Sequence, residues 1–219
     1  MSTAPAFAAP LPIDGVLPEL LATLDARLNA VLVAEPGAGK TTRVPLALLN
    51  ATWRGDGKIL VLEPRRLAAR AAARRMAAEL GEKPGETVGY RVRMETKVSS
   101  HTRIEVITEG VFTRLILDDP ELTGVAAILF DEFHERSLDG DLGLALALDV
   151  QAALRDDLRL LPMSATLDAA GISRLLGDAP VIESTGRSYP VETLYLGRTP
   201  NERIEPQTAR AIRPALAEE

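Results

Sequence analysis

The stretch Ala34-Glu35-Pro36-Gly37-Ala38-Gly39-Lys40-Thr41-Thr42 follows an apolar run at residues 31–33 and leads directly into an amphipathic segment at residues 40–50. A strand that ends in a glycine-rich turn and restarts as a helix restricts the fold to those that build a phosphate-binding loop. Gly37 and Gly39 let the backbone turn tightly with N–H groups pointing inwards. The helix behind presents its positive end, and Lys40 sets a point charge on the outer phosphates. Thr41 offers a hydroxyl to Mg²⁺. Glu35, Pro36, Ala38 and Thr42 complete the loop around the bound phosphates. The strict pattern begins with glycine where this chain has Ala34, so the reading requires Ala34 to keep a negative φ.

Such a loop needs alternating strands and helices around it, and the chain supplies them. Short apolar runs at residues 30–34, 58–62, 103–107, 126–130, 158–163 and 179–183 alternate with helix-like segments at 17–28, 40–50, 66–80, 110–117, 139–154 and 169–176. The runs are nearly continuously apolar, which predicts strands buried on both faces. The expected fold class is therefore α/β, a P-loop NTPase domain with a mostly parallel sheet and helices on both faces. With 219 residues, 46% of them hydrophobic and none a cysteine, the chain is neither a disulfide scaffold nor a disordered tail, and one ordinary core is feasible.

The boundaries follow from composition. Residues 1–14 are interrupted by proline and carry no positive charge ahead of an apolar stretch, so a flexible N-terminus is expected rather than a signal or transit peptide. The nucleotide-binding lobe is expected over 15–185. After Thr185 come one more strand-like run at 191–196 and a polar tail at 198–219 with three prolines, which reads as a linker over 186–219. No uncharged apolar run reaches roughly 18 residues. The expectation is a cytoplasmic chain with no membrane partner.

Further along, Asp131 and Glu132 follow the apolar run at 126–130. Two adjacent carboxylates at the end of a buried strand are costly unless a cation meets them. Mg²⁺ on nucleotide phosphates is such a cation: Asp131 can hold it, usually through water, and Glu132 can orient and deprotonate the attacking water. A helix N-terminus that favours acids accounts for the same pair without any nucleotide. His134, one of two histidines, stands beside them and is read as communicating between nucleotide and a neighbouring element. Ser164 and Thr166 flank Ala165 at another strand end, where Thr166 or Asp168 also suits a helix cap.

The net charge is −6, so the molecule as a whole does not attract polyanions and any such site must be local. One candidate is the stripe Arg65, Arg66, Arg70, Arg74 and Arg75. Arg65 and Arg66 are read as phosphate contacts, with Arg70 and Arg74 left open between a strand-tracking and a solvated face.

Taken in order, GAGKTT, EPRRLAAR, GYRVR, TEG, DEFHER and SAT resemble the first-lobe motifs of the DEAH-box group of superfamily 2 helicases, and the match continues into GRSYPV. The DEFHERSLDGDL string, with Phe133 where the group usually has alanine, is most similar to bacterial HrpB-type helicases. The resemblance implies a RecA-like fold in which Lys40 and Thr41 bind ATP and Mg²⁺, Asp131, Glu132 and His134 serve hydrolysis, and Ser164 and Thr166 couple it to motion. It further implies that Arg65, Arg66, Thr108 and Gly110 grip a single nucleic-acid strand, with RNA the expected form, and that Arg75 stacks on adenine. Glu109 replaces a commoner aspartate. The family uses a second RecA-like lobe, whose arginine fingers supply about 10³ to 10⁵ in rate. Nothing after Thr185 resembles that lobe's motif, so the chain is expected to bind nucleotide but hydrolyse it weakly alone, its tail the start of a truncated second lobe. Two other readings share the loop and the acidic strand end: a stand-alone P-loop ATPase or kinase, and a nucleotide-responsive binding module docking a partner through residues 189–219.

Overall fold

Alternate residues of a strand face opposite sides of a sheet, and here both sides are apolar. In β1 (Val31–Ala34), Leu32 and Ala34 join one core cluster while Val31 and Val33 join the other. In β2 (Lys58–Glu63), Ile59 and Val61 divide from Leu60 and Leu62 in the same way. A sheet greasy on both faces must be covered on both, which is the reason for helices on each side. The computed structural model describes residues 7, 9–165, 169–185, 192–197 and 199–216. The chain forms two compact units, Met1–Gly186 and Arg187–Glu219.

In the first unit, α1 (Leu17–Ala26) precedes β1, and α2 (Lys40–Leu48) and β2 follow it. Next come α3 (Arg66–Glu79), β3 (Val88–Val92), β4 (Glu95–Lys97), β5 (Ile104–Thr108), α4 (Glu109–Asp118), β6 (Val125–Phe130), α5 (Leu138–Ala153), β7 (Arg159–Ser164), α6 (Ala169–Leu175) and β8 (Val181–Ser184). The eight strands run in the order β4-β3-β5-β2-β6-β7-β1-β8. All neighbours are parallel except the β3–β4 hairpin. The ends of β1, β2, β6 and β7 thus open on one edge of the sheet, where α/β folds of this kind bind ligands.

All six apolar runs expected to be strands are strands. The β3–β4 hairpin was not expected, because its sequence interleaves charged residues and has Gly89 in its interior. That glycine is required: a β-carbon there would sit 2.4 Å from the Lys97 carbonyl oxygen. Residues 11–14, expected within a flexible N-terminus, are packed. Pro12–Gly15 form a 3-10 turn, and Ile13 is fully buried.

Phe133 fits in place of a small residue because space has been made for aromatic rings. Phe112, Phe130 and Phe133 form two edge-to-face contacts, with centroids 6.3 and 6.0 Å apart. Gly143 lies against them, where a β-carbon would approach Phe112 to 3.2 Å.

In the second unit, residues 192–197 are exposed and form no strand, which corrects the strand expected at 191–196 over its described part. A strand needs a neighbour for its ladder, and none among the described residues pairs with it. The proline-containing tail instead forms α7 (Ile204–Ala215). Pro206 falls in the first turn, where a missing N–H costs little. Pro214 falls next to the last residue. Among the described residues no helix is long and apolar enough to cross a membrane.

Ala34 is absent from the residues with positive φ and is fully buried in β1, so the departure from the strict loop pattern carries no backbone strain. Ala34→Gly, which restores the pattern, is therefore expected to lose roughly 0.5–1 kcal/mol of stability, read as a lower urea midpoint. A gain in stability would mean that Ala34 is strained.

Candidate active site

The phosphate loop has the backbone its glycines suggest. Gly37 and Gly39 adopt φ of 82° and 98°, left-handed values that favour glycine. Gly39 caps α2 and its carbonyl accepts the Thr42 and Arg43 N–H groups at 3.2 and 2.9 Å, so the Lys40 and Thr41 N–H groups at the helix start are the ones that can meet an anion. Lys40 emerges from this turn with its side chain only 4% exposed. Its ammonium donates to Glu132 Oε1 at 2.9 Å, so the loop and the acidic end of β6 are joined directly.

Asp131 extends β6 by donating its N–H to the Leu62 carbonyl at 2.9 Å. Its Oδ1 accepts from the Glu132 N–H at 2.9 Å. Burial pushes the Asp131 carboxyl above its ordinary range, and the Glu132 charge adds to the rise. The Thr41 hydroxyl, the Lys40 ammonium and the Glu132 N–H pull against it. Oδ2 is buried with no hydrogen-bond partner among the described residues. A buried carboxylate oxygen left in that condition beside a threonine hydroxyl suits the hydration shell of a Mg²⁺ ion.

Glu132 sits at φ 50°, a left-handed conformation uncommon outside glycine. It sets the start of the 3-10 turn Phe133–Glu135, which carries His134. His134 Nε2 lies 3.4 Å from Glu132 Oε2, and its Nδ1 accepts the Ala165 N–H at 3.2 Å. A backbone N–H can only donate, so Nδ1 carries no proton and the neutral ring holds its proton on Nε2, facing Glu132. The imidazole thus joins the end of β6 to the residue that follows β7. Ser164, at the end of β7, is buried. Thr166 lies outside the described residues.

Beside the loop is a cavity of about 650 Å³ lined by Thr41, Thr42, Glu63, Arg65, Arg75, Glu132 and Glu135. Arg75 is therefore on the same cavity as the phosphate loop. Arg65 is there too, paired with Glu135 at 2.6 Å, whereas Arg66 is not. A second depression, of about 850 Å³, holds Arg66, Thr108 and Gly110 together with Arg91, Arg93, Met94 and Arg114. Of the four residues expected to grip a strand, three share this groove and Arg65 faces the other cavity. Arg70, left open from sequence, is paired with Glu95 of β4 at 2.8 Å.

Several participants were not singled out from sequence. Arg91, Arg93 and Arg114 belong to a hairpin and a helix face whose meeting only the tertiary fold reveals. Glu109 accepts from the Ser137 hydroxyl at 2.6 Å, and Ser137 in turn caps α5 by accepting the Gly140 N–H at 2.8 Å. Glu63 ends β2 immediately before Pro64, and that strand-end position was the available signal. It is 4% exposed. Burial, reinforced by the charges of Asp131, Glu132 and Glu135, raises its pKa from 4.5 to about 8, with Arg65 opposing.

A carboxyl that binds its proton more tightly when folded stabilises the fold at low pH and loses that contribution as pH rises through the folded value. Without Mg²⁺ or nucleotide, the melting temperature should therefore fall as pH rises from about 4.5 to about 8. Glu63→Gln should flatten this fall and be the more stable protein at the upper end. Parallel parent and variant curves would contradict the assignment.

The family described as DEAD/DEAH box helicase matches residues 16–175. The chain is 54% identical over 209 residues to the ATP-dependent RNA helicase HrpB of Escherichia coli (strain K12), a match spanning 95% of this chain and 26% of that protein. It is 39% identical over 195 residues to the DExH-box ATP-dependent RNA helicase DExH1 of Arabidopsis thaliana, spanning 87% of this chain and 20% of that protein. The crystal structure of the Escherichia coli DEAH/RHA helicase HrpB superposes with a TM-score of 0.87 at 54% identity, covering 96% of this chain and 27% of that one. The chain thus spans between a fifth and about a quarter of the length of these relatives. The mostly parallel eight-stranded sheet is the RecA-like architecture of that match. The family match spans well over half of the chain and takes in both the phosphate loop and the acidic strand end, so the chain belongs to the DEAD/DEAH box helicase family.

Proposed function

We propose that this chain is the ATP-binding lobe of a cytoplasmic ATP-dependent RNA helicase, coupling Mg·ATP hydrolysis to movement along a single strand when joined to a second lobe. The observation that carries the reading is the continuous contact path from Lys40 to Glu132, from Glu132 to His134, and from His134 to Ala165. It joins the loop that would hold the phosphates to the segment after β7. A stand-alone kinase or a passive binding module gives no reason for that last link.

The mechanism follows from a competition. An outer phosphate carries more negative charge than a carboxylate, so nucleotide entry draws the Lys40 ammonium away from Glu132 towards the phosphates and frees the carboxylate. Glu132 is then available to orient and deprotonate the attacking water. Asp131 and Thr41 would hold Mg²⁺, Asp131 through water; when bound, the ion neutralises charge on the phosphates. Gly37, Gly39 and the start of α2 would supply N–H groups to the phosphates, with Glu35, Pro36, Ala38 and Thr42 completing the loop, its turn closed by the Ala38 N–H on the Glu35 carbonyl. Arg75, which lines the same cavity, would lie along the base.

When Glu132 lets go of Lys40, its charge towards His134 changes. His134 carries that change to Ala165, and so to Ser164 and Thr166, the residues assigned to coupling. The strand would occupy the groove of Arg66, Thr108 and Gly110, with Arg91, Arg93 and Arg114 adding phosphate contacts. Arg65, paired to Glu135 in the nucleotide cavity, would report occupancy to its neighbour Arg66. RNA as the strand is supported by the two relatives, both RNA helicases.

In the absence of arginine fingers from a second lobe, hydrolysis should be weak, lower by about 10³ to 10⁵ than in a two-lobe protein. Calorimetry should show Mg·ATP binding to the parent and none to Lys40→Ala. Glu132→Gln should bind Mg·ATP at least as tightly as the parent, because Lys40 is released from its partner. Its residual phosphate release should fall by about 10² or more. Binding by Lys40→Ala equal to the parent's would overturn the reading. Single-stranded RNA should raise turnover in the parent, whereas stimulation by a small-molecule acceptor alone would favour a kinase.

A further inference from the structure

The segment ahead of α1 has no part in the mechanism above, yet it forms a wall of the phosphate loop. Ile13, fully buried, donates its N–H to the Ala38 carbonyl at 3.1 Å. Leu11 closes over Gly39: a β-carbon at Gly39 would lie 2.6 Å from Leu11 Cδ1 and 3.3 Å from Ile13 Cγ2. Leu11 is itself fixed by donating its N–H to Asp14 Oδ2 at 2.8 Å. The left-handed turn at Gly39 is thus held from outside by two apolar side chains and one backbone hydrogen bond.

Arg43 ties this segment to the nucleotide side of the fold. It lies on α2 one turn beyond Lys40 and is 3% exposed. Its Nη2 donates to the Ala9 carbonyl at 2.9 Å, its guanidinium stacks over the Phe7 ring at 3.8 Å, and its Nε lies 3.8 Å from Asp14 Oδ1. The other end of the fork, Nη1, donates to Glu79 Oε2 at 2.6 Å. Glu79 Oε1 is in turn 3.5 Å from Arg75 Nε, and Arg75 lines the nucleotide cavity. A buried guanidinium is costly, and packing alone needs none. A planar fork with donors on both sides can hold two elements in fixed relation, which an ammonium cannot.

We infer that Phe7 and residues 9–14 are a positioning strap for nucleotide binding. Leu11 and Ile13 keep the Ala38–Gly39 turn in its phosphate-ready shape, and Arg43 with Glu79 connects the strap to Arg75 on the base side of the cavity. Preorganising a loop in its bound shape raises affinity by removing the ordering cost of binding. The inference rests on the nucleotide reading above and adds to it two separable effects, one on the phosphates and one on the base.

Calorimetry on the 219-residue chain with two probes, magnesium pyrophosphate and Mg·ADP, separates them. Pyrophosphate reports the loop alone, and ADP reports loop and base together. Leu11→Ala should weaken both by the same factor, about tenfold. Arg43→Met should weaken Mg·ADP by a larger factor than pyrophosphate, because it also frees Glu79 and Arg75. If that variant does not fold, Arg43→Lys keeps a charge for Glu79 while losing the fork to Ala9 and the Phe7 stack. It should then weaken both probes by one factor. Ile116→Val, in the core cluster on the other face of the sheet, should lower the melting temperature and leave both affinities at the parent's.

Strap variants that bind both probes like the parent would overturn the inference. So would losses of affinity that track melting temperature across all variants, Ile116→Val included. A parent that binds neither probe would overturn the nucleotide reading itself, and the strap's role with it.

Discussion

The partly buried ion pair between Lys40 and Glu132 is the contact on which the rest of the site depends. Removing two charges from water is unfavourable, and their attraction returns the cost only with close geometry and further polar partners. The protein supplies both: a 2.9 Å contact, with Glu132 also facing His134. Such a pair is a poor stabiliser by comparison with apolar packing, but it is a good switch. A stronger anion brought to Lys40 releases Glu132 without any other part of the core having to move.

The sheet makes that switch possible by placing the ends of β1 and β6 on the same edge, separated by β7. Charges that are far apart in sequence are held in a shared low-dielectric setting, with Asp131 and Glu63 both pushed towards their protonated forms by burial. Three acids close together at strand ends carry a standing electrostatic cost, which a bound cation or the Lys40 ammonium relieves. The site therefore favours occupancy. Its geometry is held by the backbone of the 3-10 turn at Phe133–Glu135, by the Phe112, Phe130 and Phe133 rings, and by Leu11 and Ile13 over Gly39.

How legible this was in the sequence depends on how local the signal is. The loop at residues 34–42, the acids at 131 and 132 and six of the eight strands could be read because each announces itself within a few residues. The β3–β4 hairpin could not, since its pairing needs Gly89 to approach the Lys97 backbone closely, a contact no propensity reports. The packed N-terminal segment was missed because prolines and small residues look like a free end until Arg43 and the loop are there to receive them. Adjacent arginines in one motif, Arg65 and Arg66, read as a single grip and face different cavities, since neighbouring residues at a helix start point in different directions. Prolines in the tail concealed α7 because they fall where a helix tolerates them.

The central claim, that nucleotide takes Lys40 from Glu132, is tested most directly by a crystal structure of the chain grown with Mg·ADP. The account predicts density for the diphosphate against the Gly37–Thr41 backbone, Lys40 Nζ on a phosphate oxygen, and the 2.9 Å contact to Glu132 broken. A nucleotide bound elsewhere, or bound at the loop with the Lys40–Glu132 pair intact, would contradict it.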